Sequence, residues 1–136
     1  MTGTRGFTII ELMIVVVIVG LLFAIALASY EGHVLRSNRA DAQGILLDIS
    51  AREERFLAQN NTYTTDISGV TGLNLGATTS SEGYYNLTVA ACATGTIAIC
   101  YLVTATARGG QTSDTDCLII TNDSAGVKAG TTDNCW

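Results

Sequence analysis

One acidic residue, Glu11, interrupts a segment that is otherwise suited to lipid. The 22 residues from Phe7 to Ala28 carry no other charge. As a helix of about 33 Å they could cross a bilayer core of about 30 Å. An ionised carboxylate at the centre of such a helix costs about 2.5–3.5 kcal/mol on insertion scales. We therefore infer that Glu11 is a functional group that requires a positively charged partner.

The other reactive side chains do not suggest a catalytic site. His33 is the only histidine, and it follows the apolar segment, far in sequence from the four cysteines. The chain has no Cys-x-x-Cys spacing, no phosphate-binding glycine loop, and no evident set of nucleophile, base and orienting group. We expect a protein that is not an enzyme and that uses no cofactor and no metal.

The residues around Glu11 form a specific pattern. The run Gly6-Phe7-Thr8-Ile9-Ile10-Glu11 follows a short basic leader and precedes a long apolar run. This pattern resembles the prepilin signal of type IV pilins. The resemblance implies cleavage after Gly6, N-methylation of the new Phe7 amine, and pairing of Glu11 with the Phe7 amine of a neighbouring subunit. Such a cation would neutralise a charge stranded in an apolar bundle.

The resemblance also implies partners and a location. The partners would be other pilin subunits in a helical filament, the prepilin peptidase/N-methyltransferase, and the inner-membrane pilus assembly machinery. Before assembly the chain would cross the bacterial inner membrane once, with its head in the periplasm. After assembly it would belong to an extracellular pilus.

Three simpler hypotheses compete for the apolar segment, and one of them, a buried core helix, is disfavoured because so little chain remains to bury it. A secretory signal peptide would be cut after Ala26-Leu27-Ala28, before Ser29, and would release a soluble periplasmic protein. The apolar run of such a peptide normally has about 7–15 residues, which is shorter than this segment. A plain membrane anchor would leave Glu11 at the interface between lipid and water.

The hydrophobic pattern divides the chain into a leader, a stem and a head. After Ser29 an apolar stripe at helical spacing replaces the uniformly apolar run. We expect a leader peptide at 1–6, a transmembrane or filament-core helix (the stem) at 7–29, and a globular head at 30–136. Within the head we expect a helix at 30–59, an αβ-loop at 60–83, and an antiparallel sheet with a C-terminal disulfide region at 84–136.

The helix of the head needs a surface that covers its stripe. The stripe is Leu35, Ala42, Ile45, Leu46, Ile49 and Phe56, and the other faces carry Arg36, Arg39, Asp41, Asp48, Arg52 and Glu53. Apolar alternation predicts strands at Tyr84–Cys92, Ile97–Ala107, Leu118–Ile120 and Val127–Ala129, with Ile99, Tyr101, Val103 and Ala105 on one face of the second strand. A one-faced sheet and a one-striped helix bury each other. We therefore expect an α+β fold, the type IV pilin lollipop, in which a long N-terminal hydrophobic/amphipathic helix packs on a four-stranded antiparallel sheet.

All four cysteines lie beyond the apolar segment. An even number of cysteines in a small exported domain predicts disulfides, and three pairings are open. The strand pattern favours Cys92–Cys100 across a hairpin and Cys117–Cys135, which would fasten the C-terminal tail to the third strand. Many type IV pilins carry a C-terminal disulfide loop of this kind.

The charge of the chain argues against general nucleic-acid binding, because the net charge is −5. Arg108 and Lys128 are the only cations on the predicted loops, and they would form a small DNA-contacting spot if they converge. Asp114 and Asp116 could offer oxygens to calcium, but a solvated loop is the simpler expectation. For Arg39 we expect contact with lipid headgroups or with Asp41.

The head resembles short minor pilins of the PilE and ComP types in three stretches, namely Arg39-Ala40-Asp41-Ala42-Gln43, Gly83-Tyr84-Tyr85 and Asp133-Asn134-Cys135-Trp136. The resemblance implies a minor structural subunit that acts in type IV pilus assembly. The alternatives are a competence pilin that binds DNA through its head and a type II secretion pseudopilin. One departure is Ala28, where these pilins have proline, and it predicts a straighter helix.

The mature N-terminus separates these hypotheses. We expect intact-mass and peptide mass spectrometry of the purified chain to find a methylated Phe7 as the first residue. An unmodified Ser29 at that position would instead identify a secretory signal peptide.

Overall fold

A capped helix, α1, begins the described part of the chain. The computed structural model describes residues 6–136, without the side chains of Leu27 and Ala28, so most of the predicted leader lies outside the described residues. Helix α1 spans Ile9–Asn60, 52 residues. The Glu11 N–H donates to Thr8 Oγ1 at 3.3 Å, the contact expected of a Thr-x-x-Glu capping box. Asn61, with a left-handed φ of 56°, ends the helix.

The chain divides into two compact units, one ending at Val34 and the other spanning Leu35–Trp136. In the first unit, large apolar side chains are exposed on all sides of α1, from 50% at Ile18 to 82% at Ile9. An 18-residue window of the helix has a mean hydropathy of 3.1, and none of it is buried. By length and composition this part of α1 is able to cross a membrane.

The second unit contains a four-stranded antiparallel sheet with the order β1-β2-β3-β4. The strands are β1 at Tyr85–Ala91, β2 at Tyr101–Ala107, β3 at Ile119–Asp123 and β4 at Lys128–Gly130. Each strand pairs with the next one along the chain, so the predicted meander is confirmed. The predicted class, a long N-terminal helix with an antiparallel sheet, is confirmed with it.

The core of this unit lies between α1 and one face of the sheet. Alternate strand residues are buried, as the pleat of a half-covered sheet requires. The core also takes in the αβ-loop, where the Tyr63 ring meets the Tyr101 ring edge to face, with 4.8 Å between centroids. Fully or almost fully buried members are Ala42, Leu46, Ile49, Tyr85, Leu87, Tyr101, Val103, Ala105 and Ile120.

The second strand is shorter than its sequence pattern predicted. Strand β2 begins at Tyr101 rather than Ile97, and Ile99 is 71% exposed instead of sharing the buried face. The Ile99 N–H and the Cys100 N–H both donate to Thr96 O, so this stretch turns tightly and does not extend. Apolar alternation alone could not distinguish such a turn from a strand.

Two disulfides connect the ends of the sheet. Cys92 is linked to Cys100, one step beyond the last residue pair of β1 and β2. Cys117 is linked to Cys135, 18 positions apart, so the C-terminal tail is tied to the start of β3. Gln43 Nε2 of α1 also donates to Cys135 O at 2.8 Å, which holds the same tail against the helix.

Candidate functional site

The start of α1 presents the predicted assembly residues together. Gly6, Phe7, Thr8 and Glu11 line one open cavity, and Phe7 is 82% exposed. Among the described residues, no side chain or backbone group forms a hydrogen bond or ion pair with the Glu11 carboxylate. The acid is therefore available for a partner from another molecule, and its pairing with a neighbouring Phe7 stays a prediction.

A buried polar cluster joins α1 to the loop after β2. We call it the polar clamp, and it consists of Asn38, Arg39, Tyr85, Gln111 and Asp114. The Arg39 guanidinium donates to both oxygens of the Asp114 carboxylate. Gln111 Nε2 donates to Asp114 Oδ2 at 2.9 Å and to the Tyr85 hydroxyl at 3.1 Å, and its Oε1 accepts from Asn38 at 2.9 Å. The hydrogen bond to Asp114 raises the pKa of Arg39, so the guanidinium stays charged.

The polar clamp corrects two expectations from the sequence. Asp114 is 4% exposed and is not part of a solvated loop, and Arg39 pairs with it rather than with Asp41 or lipid. Both Asp114 oxygens already accept hydrogen bonds, so they are not available to calcium. Asp116 is exposed two residues later. The described residues contain no group of three or more His, Cys, Asp or Glu arranged to hold a metal.

The two cations considered for DNA contact do not converge. The Arg108 N–H donates to Tyr84 O, beside the start of β1. Lys128 begins β4 opposite Asn122, which pairs with Val103 of β2. Measured along the direction of β2, Lys128 is therefore level with Val103, and Arg108 is five residues farther on. At about 3.3 Å per residue this separates the two cations by roughly 16 Å.

Lys128 has an aromatic neighbour in the C-terminal residue. Its Nζ lies 4.5 Å from the centroid of the Trp136 ring. The Trp136 indole N–H donates to Ala129 O at 2.9 Å, which fixes the ring against β4. Because both residues reach the surface, they present a positive charge and an aromatic ring side by side.

A second positive site lies at the C-terminal part of α1. A cavity of about 200 Å³ is lined by Arg52, Arg55, Phe56, Gln59, Gly72 and Leu73. The Arg52 guanidinium donates to the Asp48 carboxylate at 2.9 Å and to Leu73 O at 3.1 Å, so its charge is partly compensated. Exposed Arg55 donates only to Ala51 O, and it has no ion pair within the described chain.

A buried acid, Glu53, lies on the same face of α1 as the apolar stripe, four residues after Ile49 and three before Phe56. It is 0% exposed, so the assignment of Glu53 to another face of the helix is wrong. Its Oε2 accepts from the Thr64 N–H at 3.1 Å, and its Oε1 has no partner among the described residues. Burial raises the pKa of Glu53 to about 7, against the opposing effect of the Thr64 hydrogen bond. Neighbouring Tyr63 donates to Glu54 at 3.1 Å, and burial raises its pKa to about 12.

The chain matches two models of known protein families. The model described as "Type IV minor pilin ComP, DNA uptake sequence receptor" matches residues 28–121, more than half of the chain. This chain belongs to the ComP family of type IV pilins. The model described as "Prokaryotic N-terminal methylation motif" matches residues 1–27. The resemblance to type IV pilins is confirmed.

Individual relatives of this pilin agree with the family. It is 35% identical to the type IV major alpha-pilin of Moraxella bovis over 59% of this chain and 51% of that protein, so it spans about half the length of that relative. It is 33% identical to the type IV major fimbrial protein FimA of Dichelobacter nodosus over 76% of this chain and 67% of that protein. A type IV pilin structure from Shewanella oneidensis has the same fold, with a TM-score of 0.54 and 20% identity over 75% of this chain and 97% of that one.

Sequence reasoning missed several residues of these sites. The Thr8-x-x-Glu11 spacing is a signal that could have predicted the helix cap. For Gln111 and Asp114, more than 70 residues separate them from their partners on α1, and no local pattern reports such a contact. For Glu53, the spacing of four residues from Ile49 and three from Phe56 is a signal that could have predicted its burial.

The raised pKa of Glu53 predicts a pH-dependent stability for this pilin. The folded state binds the proton of the Glu53 carboxyl more tightly than the unfolded state does. The contribution of this group to the free energy of unfolding is therefore fully present below its unfolded pKa of 4.5, and it is lost as the pH rises through about 7. We expect the free energy of unfolding to fall by about 2–3 kcal/mol from pH 5 to pH 8 through this group. Urea unfolding of the detergent-solubilised chain, followed by fluorescence of its single Trp136, measures it.

The variant Glu53→Gln removes the titration and should abolish this part of the pH dependence. Glu54→Gln is the matched control, because Glu54 is exposed and resembles Glu53 in chemistry. If Glu53→Gln keeps the wild-type difference between pH 5 and pH 8, the buried acid is not its source.

Proposed function

We propose that this pilin is a minor subunit of a type IV pilus, processed after Gly6, and that its head receives DNA. The observation that carries the first part is the exposed apolar surface of α1 before Val34 with Glu11 as its one acid in the first turn. Membership of the ComP family, whose description is that of a DNA uptake sequence receptor, supports the second part.

The stem requires an apolar environment in both states of the subunit. Burial of each exposed Ile, Val, Leu or Phe side chain would stabilise the subunit by roughly 1.5–3 kcal/mol, and this stabilisation is absent in water. Before assembly, the inner membrane supplies the burial, with the head in the periplasm. After extraction by the assembly machinery, the stems of neighbouring pilins supply it in the filament core.

Glu11 gives this otherwise uniform surface a defined register. Apolar contacts alone would allow neighbouring stems to slide past one another with little cost. The Glu11 carboxylate must meet the methylated Phe7 amine of another subunit, and only one axial displacement between the two stems allows this. Every other displacement leaves both charges unpaired in apolar surroundings. The prepilin peptidase/N-methyltransferase is the partner that creates this amine.

The head has few cations that DNA could contact. Among the described residues, Arg39 and Arg52 are in ion pairs, and the exposed cations without one are Arg36, Arg55, Arg108 and Lys128. Of these, Arg55 lies at a cavity and Lys128 lies beside an aromatic ring. Duplex DNA carries one charge per about 1.7 Å, so separate cations can each meet a phosphate without converging. We propose Arg55, Arg108 and Lys128 as the contacts.

Neutralising Glu11 tests the stem. We expect Glu11→Gln to reduce the fraction of the subunit in sheared pili at least tenfold, with the protein retained in the membrane. The physical reason is that the Phe7 amine then remains unpaired, which costs about 3–5 kcal/mol for a buried pair. Immunoblots of the pilus and membrane fractions measure the ratio.

Two features make this variant specific. Glutamine can still complete a capping box, so the helix start is preserved while the charge is lost. Thr8→Val is the matched control, because it removes the cap hydrogen bond and keeps the acid. If Thr8→Val lowers incorporation as much as Glu11→Gln, with Phe7 processed normally in both, the acid acts through the helix cap and not through a neighbour.

DNA binding is tested by single neutral substitutions in the full chain in detergent micelles. We expect Arg55→Gln, Arg108→Gln and Lys128→Gln each to weaken binding of a labelled duplex several-fold and to lower the slope of log K against log salt by about 1, since each removes one phosphate contact. Fluorescence anisotropy at four or more salt concentrations measures both quantities.

Arg36→Gln is the control for net charge, because Arg36 is exposed and is the second residue of the unit that spans Leu35–Trp136, far in sequence from the three proposed contacts. Equal losses in all four variants would indicate a long-range charge effect. An unchanged slope in all of them would refute the three contacts, while leaving the stem proposal intact.

A further inference from the structure

The cavity of about 200 Å³ beside the C-terminal part of α1 is lined by donors from one face of that helix. Its helix residues follow the spacing i, i+3, i+4 and i+7, and they are Arg52, Arg55, Phe56 and Gln59. Gly72 and Leu73 of the αβ-loop line the other side. Pockets for drug-sized ligands have about 300–1,000 Å³, so this smaller space suits a single small group. We call it the arginine cavity.

The guanidinium of Arg52 is only partly used inside the head. Its Nε donates to the Asp48 carboxylate at 2.9 Å, and its Nη1 donates to Leu73 O at 3.1 Å and to Asn74 O at 3.3 Å. Its Nη2 forms no hydrogen bond among the described residues. The contacts to the αβ-loop therefore hold the group in place and still leave one nitrogen for a ligand.

Arg55 and Gln59 add further donors to the arginine cavity. Arg55 Nε donates to Ala51 O at 3.1 Å, and neither terminal nitrogen of this side chain has a hydrogen bond within residues 6–136. The side-chain amide of Gln59 has none there either. Both side chains are exposed, so these donors are open to a molecule that approaches from outside.

The side chains at the arginine cavity carry one net positive charge. Arg52 and Arg55 are both cationic, and the carboxylate of Asp48 compensates one of them. Glu54, next to Arg55 in the sequence, is engaged elsewhere, because it accepts a hydrogen bond from the Tyr63 hydroxyl at 3.1 Å. One net positive charge and several N–H donors match a single phosphodiester, which has one negative charge and two free oxygens.

We propose that the arginine cavity binds one backbone phosphate of DNA, which Arg52 and Arg55 hold together and to which Gln59 donates. This inference rests on the proposed function, because it requires that the head receives DNA. It adds Arg52, although that residue is ion-paired, to the contact at Arg55. A phosphate contact carries no information about the bases. The cavity therefore fixes the position of DNA on the head and does not select its sequence.

Salt dependence tests whether the two arginines share one phosphate, because the slope of log K against log salt counts the phosphates that are neutralised. For the full chain in detergent micelles, we expect Arg52→Gln to weaken binding of a labelled duplex several-fold. The double variant Arg52→Gln/Arg55→Gln should lower the slope by about 1, as Arg55→Gln alone does. The matched double variant Arg55→Gln/Lys128→Gln should lower it by about 2, since it removes contacts to two phosphates. Fluorescence anisotropy at four or more salt concentrations measures both quantities.

Asp48→Asn supplies an arm in which binding increases. This substitution removes the carboxylate that competes with phosphate for Arg52, so we expect binding to tighten several-fold. The pair is largely exposed, so its loss costs the head little stability. Asp116→Asn is the matched control, because Asp116 is exposed on the loop before β3 and its substitution changes the net charge equally.

Gln59→Ala keeps the proposal testable if Arg52→Gln disturbs the αβ-loop, because the Gln59 amide has no hydrogen bond to lose within the described chain. We expect several-fold weaker binding with an unchanged slope, since the amide is neutral.

Three results would each overturn the shared site. They are binding unaffected by both Arg52→Gln and Gln59→Ala, a slope lowered by about 2 in Arg52→Gln/Arg55→Gln, and equal tightening by Asp48→Asn and Asp116→Asn. Failure of the proposed DNA contacts gives a different result, because the slope would then stay unchanged in Arg55→Gln and Lys128→Gln as well, and the shared site would be refuted with them.

Discussion

The constraint on which this pilin depends is that one helix must satisfy two kinds of surroundings. Before Val34, α1 exposes apolar side chains in every direction, and after Leu35 only one stripe of it is apolar. The first part contributes no stability by itself, because it buries nothing within the subunit. The second part must therefore hold the whole head together with a core drawn from one stripe and one sheet face.

Polar contacts supplement this small core at specific points. The polar clamp joins α1 to the loop after β2, and Gln43 joins it to the C-terminal disulfide. A buried ion pair adds little net stability, but breaking one partner is costly, so such contacts mainly select one arrangement. The clamp thus fixes where the loop at Gln111 lies on α1, which apolar contacts alone would define less sharply.

The hydrophobic periodicity of the sequence was enough to predict most of the fold. The uniform apolar run, the helical stripe and the alternation in β1 and β2 each report a local environment, and together they specify the helix and the meander. The failures have different causes. Asp114 is buried through Arg39, 75 positions away in the sequence, and no local pattern contains that information. Ile99 lies in a tight turn closed by Thr96, which apolar alternation does not distinguish from a strand. Glu53 lies at helical spacing between Ile49 and Phe56, so its burial was available from the stripe itself.

The internal ion pairs also determine what the surface can do. Of the seven Lys and Arg residues, Arg39 and Arg52 are bound by carboxylates inside the head. A protein with a net charge of −5 and few exposed cations cannot hold DNA by a broad positive field. The proposed binding of DNA would therefore depend on a few local phosphate contacts, and its salt dependence would be shallow because each contact adds only about 0.9 to the slope of log K against log salt. Under that proposal, a preference for a particular DNA would come from the shape of the head and from uncharged contacts, and not from charge.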